Sequence, residues 1–238
     1  MIRAILTVFA AVFFLIGCCP LLFLERGIFK EISQSLMYRT SHFLVRGVFK
    51  VMLFFSGVKT TVVGLEKVPD DRAVLYIPNH RSYFDIFLMF TLAKGQCGIV
   101  GKDSLKYVPF LAPWMDCVHC LLLDRDNPRQ GFRTIMQGAK YMEEGVSMVI
   151  FPEGHRSKTD DLLPFKAGSF VMATKSGCPI IPVAIKGSDD IFEKHVPFVR
   201  STHVTVTFGD PIETAGLTKA EQNALPDQVR DIIKGMLS

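Results

Sequence analysis

Polar and apolar positions change rhythm twice along this chain. From Ala4 to Leu24 there is no alternation: the stretch is almost wholly apolar and uncharged, bounded by Arg3 and by Glu25-Arg26. About 20 such residues suffice to cross a bilayer. The apolar run continues past Leu15-Ile16-Gly17-Cys18, a loose likeness of a lipoprotein cleavage box, so the pattern predicts an uncleaved anchor rather than a secretory signal. Between residues 26 and 59, Arg26, Lys30, Arg39, Arg46, Lys50 and Lys59 stand against Glu31 alone. They are interleaved with Phe43-Leu44, Val48-Phe49 and Val51–Phe55, which predicts a basic, cytoplasmic, membrane-apposed segment lying in the interface. Residues 1–59 therefore read as an N-terminal membrane-anchoring helical segment, and residues 60–238 as an α/β domain.

From residue 61 short apolar runs alternate with segments of helical period. Strands are predicted at Thr61–Val63, Ala73–Ile77, Gly98–Val100, Val118–Leu123, Met148–Phe151, Ile180–Ile185 and Val204–Phe208. Asn127-Pro128 is a helix start, with Phe132, Ile135, Met136 and Ala139 at helical spacing and Gly145 as the stop. A second helix runs from about Ala167 to Ser176 and ends at Gly177. Thr218 and Glu221 form a capping-box pattern ahead of a closing helix whose face is Val229, Ile232, Ile233, Met236 and Leu237. The fold class this implies is α/β: a mostly parallel central sheet flanked by helices, preceded by the N-terminal membrane-associated helical segment.

In open α/β sheets, ligands bind beyond the carboxyl ends of the strands. Four groups of polar residues fall there: His80, Lys102, Asp124-Arg125, and Pro152-Glu153-Gly154-His155-Arg156-Ser157. The heptad Asn79-His80-Arg81-Ser82-Tyr83-Phe84-Asp85 holds an imidazole and a carboxylate five positions apart. On a continuous helix these would point roughly 140° apart, so they meet only if the backbone turns between them. Pro78 ends the preceding strand, and Ile86–Phe90 reads as a buried helix. Asp85 then lies near a helix N-terminus, where the dipole favours its charge, and it can orient His80 as a general base for an alcohol. Arg125 and Arg156, then Lys102, are the candidate anion-binding cations. Gly154 suits an unusual backbone angle or close ligand approach, and Glu153 anchors the loop or meets a substrate hydroxyl. Ser82 lacks a nucleophile-elbow context and reads as a turn residue.

Composition narrows the classes. The apolar fraction is 49%, with 20 Phe, and the net charge is +4. That mild excess suits an anionic membrane or a phosphate substrate, and no basic run interleaved with aromatics points to nucleic acid. Cys117-Val118-His119-Cys120 imitates half a zinc knuckle, but no second CxxC or HxxxH follows, so no metal is predicted. The six cysteines read as reduced, small, buried residues.

Four blocks in order resemble the 1-acyl-glycerol-3-phosphate (lysophosphatidate) acyltransferase family. They are Asn79–Asp85; Lys102–Pro109 with Leu123-Asp124-Arg125; Phe151–Ser157; and Ile181–Ile185. Two positions depart from the family pattern: His155 replaces a usual Thr, and Ala112-Pro113 replaces a frequent Gly. The resemblance implies acyl transfer from a thioester to the sn-2 hydroxyl of lysophosphatidate, giving phosphatidate. His80 and Asp85 would be catalytic, and Lys102, Arg125, Glu153, Gly154 and Arg156 would bind substrate. No bound cofactor is implied; the acyl donor is acyl-coenzyme A or acyl-[acyl carrier protein]. The expected partners are that donor, lysophosphatidate and the lipid bilayer, without nucleic acid, at the cytoplasmic face of the inner cell membrane. Another lysolipid or glycerol-3-phosphate as acceptor, a thioester hydrolase, and an inactive lipid-binding protein are the alternative readings.

Overall fold

Successive residues of one buried strand decide where the layers lie. Val74 and Tyr76 pack into one hydrophobic cluster while Leu75 and Ile77 pack into another, as the two-residue period of a strand requires. A strand apolar on both faces must be covered on both faces. The structure is a computed structural model that describes residues 2–238. Its strands are β1 Lys59–Val63, β2 Leu75–Pro78, β3 Cys97–Lys102, β4 Leu121–Leu123, β5 Ser147–Val149, β6 Ile180–Lys186 and β7 His203–Phe208. They form a seven-stranded sheet in the order β1-β7-β6-β2-β5-β3-β4. Every neighbouring pair is parallel except β6 and β7.

The helices are α1 Ile2–Val12, α2 Cys19–Leu24, α3 Lys30–Ile32, α4 Gln34–Ser56, α5 Phe84–Leu92, α6 Leu111–Asp116, α7 Pro128–Glu143, α8 Val171–Ser176 and α9 Lys219–Leu237. Asn127 caps α7 by accepting from the Gln130 amide, and Thr218 and Glu221 close a reciprocal capping box on α9. Residues of α7, α8 and α9 cover one face of the sheet. Residues of α5, α6 and the N-terminal helices cover the other.

The N-terminal segment is bound tightly to the rest. Phe14 packs on Trp114 at 4.7 Å between ring centroids, and Phe49 on Phe87 at 4.8 Å. Arg46, counted above with the membrane-facing cations, is turned inward instead. Its guanidinium donates to the carbonyls of Phe90, Ala93 and Gly95 at 3.2, 2.9 and 2.9 Å, satisfying the C-terminal end of α5. Glu25, read as the polar end of the apolar run, is buried and accepts from the Thr40 hydroxyl at 2.7 Å.

The apolar run itself is not one straight helix. Among the described residues no single helix is long and apolar enough to cross a membrane; a bent pair, Ile2–Gly17 and Cys19–Ile32, meets that test together with a 42° break. Pro20 sits at the start of α2, where the ring removes an amide donor and interrupts the ladder. The outer faces of these helices expose Ile5, Phe9, Phe13 and Phe23, and α4 exposes Phe43 and Phe54.

The predicted strand 118–123 shortens to β4. Val118 and His119 belong to the turn that leaves α6, with His119 in the left-handed region at φ 57°. Ala112-Pro113, which replace a frequent Gly of the family pattern, lie in the first turn of α6, and the left-handed residue is Phe110, at φ 62°.

Candidate active site

Parallel strands deliver their carboxyl ends to one edge, and with a spacing of about 4.8 Å the order of strands ranks distances along it. β6 and β5 flank β2, so the loops after them adjoin His80. Lys102 leaves a strand two places from β2, about 10 Å along the edge, and Arg125 one three places away, about 14 Å.

Asn79 is wholly buried and works as an extra rung of the sheet. Its side-chain oxygen accepts from the Ile185 amide at 2.7 Å and its amide donates to the Ile185 carbonyl at 3.0 Å. This fixes the chain just as it leaves β2. His80 is then held at both backbone groups by the loop after β5. Its amide donates to Glu153 Oε1 at 2.7 Å, and its carbonyl accepts from the Ser157 amide at 2.8 Å. The imidazole stacks on Phe151 at 4.1 Å.

The backbone turns between His80 and Asp85, and the two side chains meet: Nδ1 lies 3.0 Å from Asp85 Oδ2. The same oxygen accepts from the Arg81 and Ser82 amides, both at 2.7 Å. Two backbone amides already donate to this oxygen, so it is an acceptor, and the imidazole meets it as the donor through Nδ1–H. The lone pair is therefore on Nε2, which no protein group engages among the described residues. With 14% of its side chain exposed, His80 is reachable, whereas Asp85 is fully buried. Such a pair can take a proton from a hydroxyl and stabilise the resulting imidazolium. Ser82 is buried, and its hydroxyl accepts from the Phe84 amide at 3.0 Å, as in a turn.

The structure separates the substrate-binding candidates. Glu153 is 1% exposed, and its other oxygen accepts from the Leu163 amide at 3.0 Å. In this geometry it ties together loops beneath His80. Burial raises its pKa and the two amides oppose that rise. Gly154 has φ 78°, and a Cβ there would lie 2.8 Å from Lys166 Nζ. Arg156 stacks its guanidinium over the Tyr83 ring at 3.6 Å and donates Nη1 to Glu193 at 3.1 Å. Lys102 and Arg125 are exposed with no ion pair among the described residues, and His155 is exposed beside the turn.

Sequence reasoning missed four groups here. Arg81 pairs with Asp160 at 2.7 Å and Asp189 at 2.6 Å, locking the heptad to two other loops. Asp189 follows β6, so the strand-end rule pointed at it. Lys166, exposed over Gly154, and Glu193 carried no local signal.

Glu153→Gln keeps the volume but leaves one of two backbone amides facing an NH2 group. The expected result is a loss of about 1–3 kcal/mol in stability. A drop in kcat of about 10- to 100-fold should accompany it as His80 shifts. Thermal unfolding and steady-state kinetics on the same sample check both.

Comparison with known proteins adds the following. Residues 59–186 match the family model described as Acyltransferase. A 1-acyl-sn-glycerol-3-phosphate acyltransferase of Saccharomyces cerevisiae is 32% identical over 186 residues, 77% of this chain and 61% of that protein. A protein of that name from Borreliella burgdorferi is 29% identical over 195 residues, 82% of this chain and 78% of its own. The chain thus spans about three fifths of the yeast relative's length. The crystal structure of the 1-acyl-sn-glycerophosphate (LPA) acyltransferase PlsC from Thermotoga maritima superposes with a TM-score of 0.73 at 21% identity. The match covers 99% of this chain and 94% of that one and shows the same fold.

Proposed function

The chain belongs to the acyltransferase family, and on that premise we propose that it transfers a fatty acyl group from a thioester to the sn-2 hydroxyl of 1-acyl-glycerol-3-phosphate, giving phosphatidate. The observation that carries this reading is the His80–Asp85 pair with its open Nε2 at a sheet edge rimmed by cations. An alcohol is too weak an acid to ionise unaided, so the base acts in the transition state. His80 Nε2 takes the hydroxyl proton as the oxygen bonds to the thioester carbonyl. The tetrahedral oxyanion then collapses, the carbon–sulfur bond breaks, and the imidazolium returns the proton to the leaving thiolate. Asp85 stays ionised and keeps the ring in register throughout.

In this proposal Arg156 holds the acceptor's phosphate, and Lys102 and Arg125 extend the anionic rim along the edge. Gly154 lets the turn approach closely, and Glu153 sets His80. The donor is acyl-coenzyme A or acyl-[acyl carrier protein], and no bound cofactor takes part. The exposed apolar faces of α1, α2 and α4 support seating in a lipid bilayer, with the site at the cytoplasmic face of the cell membrane.

Purified chain supplied with lysophosphatidate and each thioester in turn is expected to form phosphatidate. Glycerol-3-phosphate and neutral lysolipids should compete poorly. Thiol release that ignores the acceptor would instead identify a hydrolase.

A further inference from the structure

We propose that Glu193 is a positioning residue for the acceptor: it presets the guanidinium of Arg156 that grips the phosphate. This rests on the reading above, in which Arg156 binds that phosphate. Glu193 lies in the long connection from β6 to β7, beyond the residues the family model matches.

Its Oε1 accepts from the Tyr83 amide at 2.8 Å and from Arg156 Nη1 at 3.1 Å. One carboxylate thus joins three loops: the turn carrying His80, the turn carrying Arg156, and its own. The carboxylate is anchored at Tyr83 independently of Arg156, so it stays in place when the guanidinium changes partner. Tyr83 covers one face of Arg156 and Glu193 takes one end. An arginine loses less freedom on binding when its plane is already fixed, and the remaining donors present a fork suited to phosphate. The side chain of Arg156 keeps 34% of its surface open, against 18% for Glu193. The second oxygen, Oε2, is buried with no hydrogen-bond partner among the described residues. Such an acceptor costs stability where it stands, and a carboxylate retained in that state calls for a functional account.

The test is Glu193→Ala and Glu193→Gln, assayed against both substrates. For Glu193→Ala the acceptor KM should rise about tenfold, with kcat within about twofold and the thioester KM unchanged. Glu193→Gln keeps the volume and an acceptor oxygen but loses the charge, so the acceptor KM should rise by less, about threefold, in the same pattern, and this variant carries the test if the alanine variant does not fold. In an Arg156→Ala background, adding Glu193→Ala should change the acceptor KM no further. An unchanged or lowered acceptor KM, or equal effects on both substrates and kcat, overturns the proposal. Wild-type protein that fails to acylate lysophosphatidate would overturn the functional reading instead, and the two failures are distinct.

Discussion

His80→Ala should lower kcat by about 10³- to 10⁴-fold while the protein stays folded, because the imidazole supplies the base and nothing adjacent can replace it. The ring stacks on Phe151 and keeps 14% of its side chain open, so its loss leaves a space that opens to solvent. Asp85→Asn is expected to lose about 10²- to 10⁴-fold by a different route. The amide oxygen can still accept the Arg81 and Ser82 amides, which keeps the turn. It cannot supply the charge that offsets the imidazolium. The double variant should be little worse than His80→Ala alone, since the two residues act as a unit. Thiol release from the donor, with lysophosphatidate saturating, measures all three. Retention of a tenth or more of wild-type kcat in His80→Ala would remove His80 from the reaction.

What sequence made legible divides by the range of the interaction that fixes each feature. Strand cores and helix caps are local: an apolar run punctuated by Pro or Gly, or Asn127 three residues before Gln130, declares itself. The turn between His80 and Asp85 was also local, because a strand-ending Pro78 and a buried helix left the backbone little else to do. Burial without period is ambiguous, which is why Val118 and His119 passed for strand when they form a buried turn. Charge was the least legible. Arg46 and Glu25 look like boundary charges in one dimension, yet both point inward: Arg46 of α4 reaches the carbonyls that end α5, and Glu25 meets the Thr40 hydroxyl of α4. The partners that define the site lie still farther off. Asn79 meets Ile185 across 106 positions and Glu153 meets His80 across 73, distances over which spacing carries no information.

A second large effect is expected on acidification, at the seam between α4 and the sheet. His42 of α4 stacks on Phe90 at 5.3 Å and lies 5.9 Å from His119, which packs on Tyr38 at 3.8 Å and edge-on to Tyr141 at 5.0 Å. Both ring nitrogens of His42, and Nδ1 of His119, are buried with no hydrogen-bond partner among the described residues. Burial lowers His42 to about 3, aided by His119 and Arg46, and lowers His119 to about 4 against the pull of Asp116. Both values lie below the unfolded value of 6.5, so the unfolded chain takes up protons that the native fold refuses. Stability is therefore intact above pH 6.5 and is lost as pH falls toward 4. At pH 5 the loss is about 2 kcal/mol per histidine, or about 4 kcal/mol together, with a slope of about 3 kcal/mol per pH unit. Glu153 works the other way, because its raised pKa makes the native state take up its proton first. Against a total stability of about 5–15 kcal/mol, two uncompensated histidines dominate. The same charge placed between α4 and α5 should loosen the N-terminal helices before the sheet. Urea unfolding in neutral detergent at pH 7 and pH 5 measures the slope. His42→Phe preserves the stack on Phe90 and should halve that slope; a wild-type stability that is flat across the interval would refute the assignment.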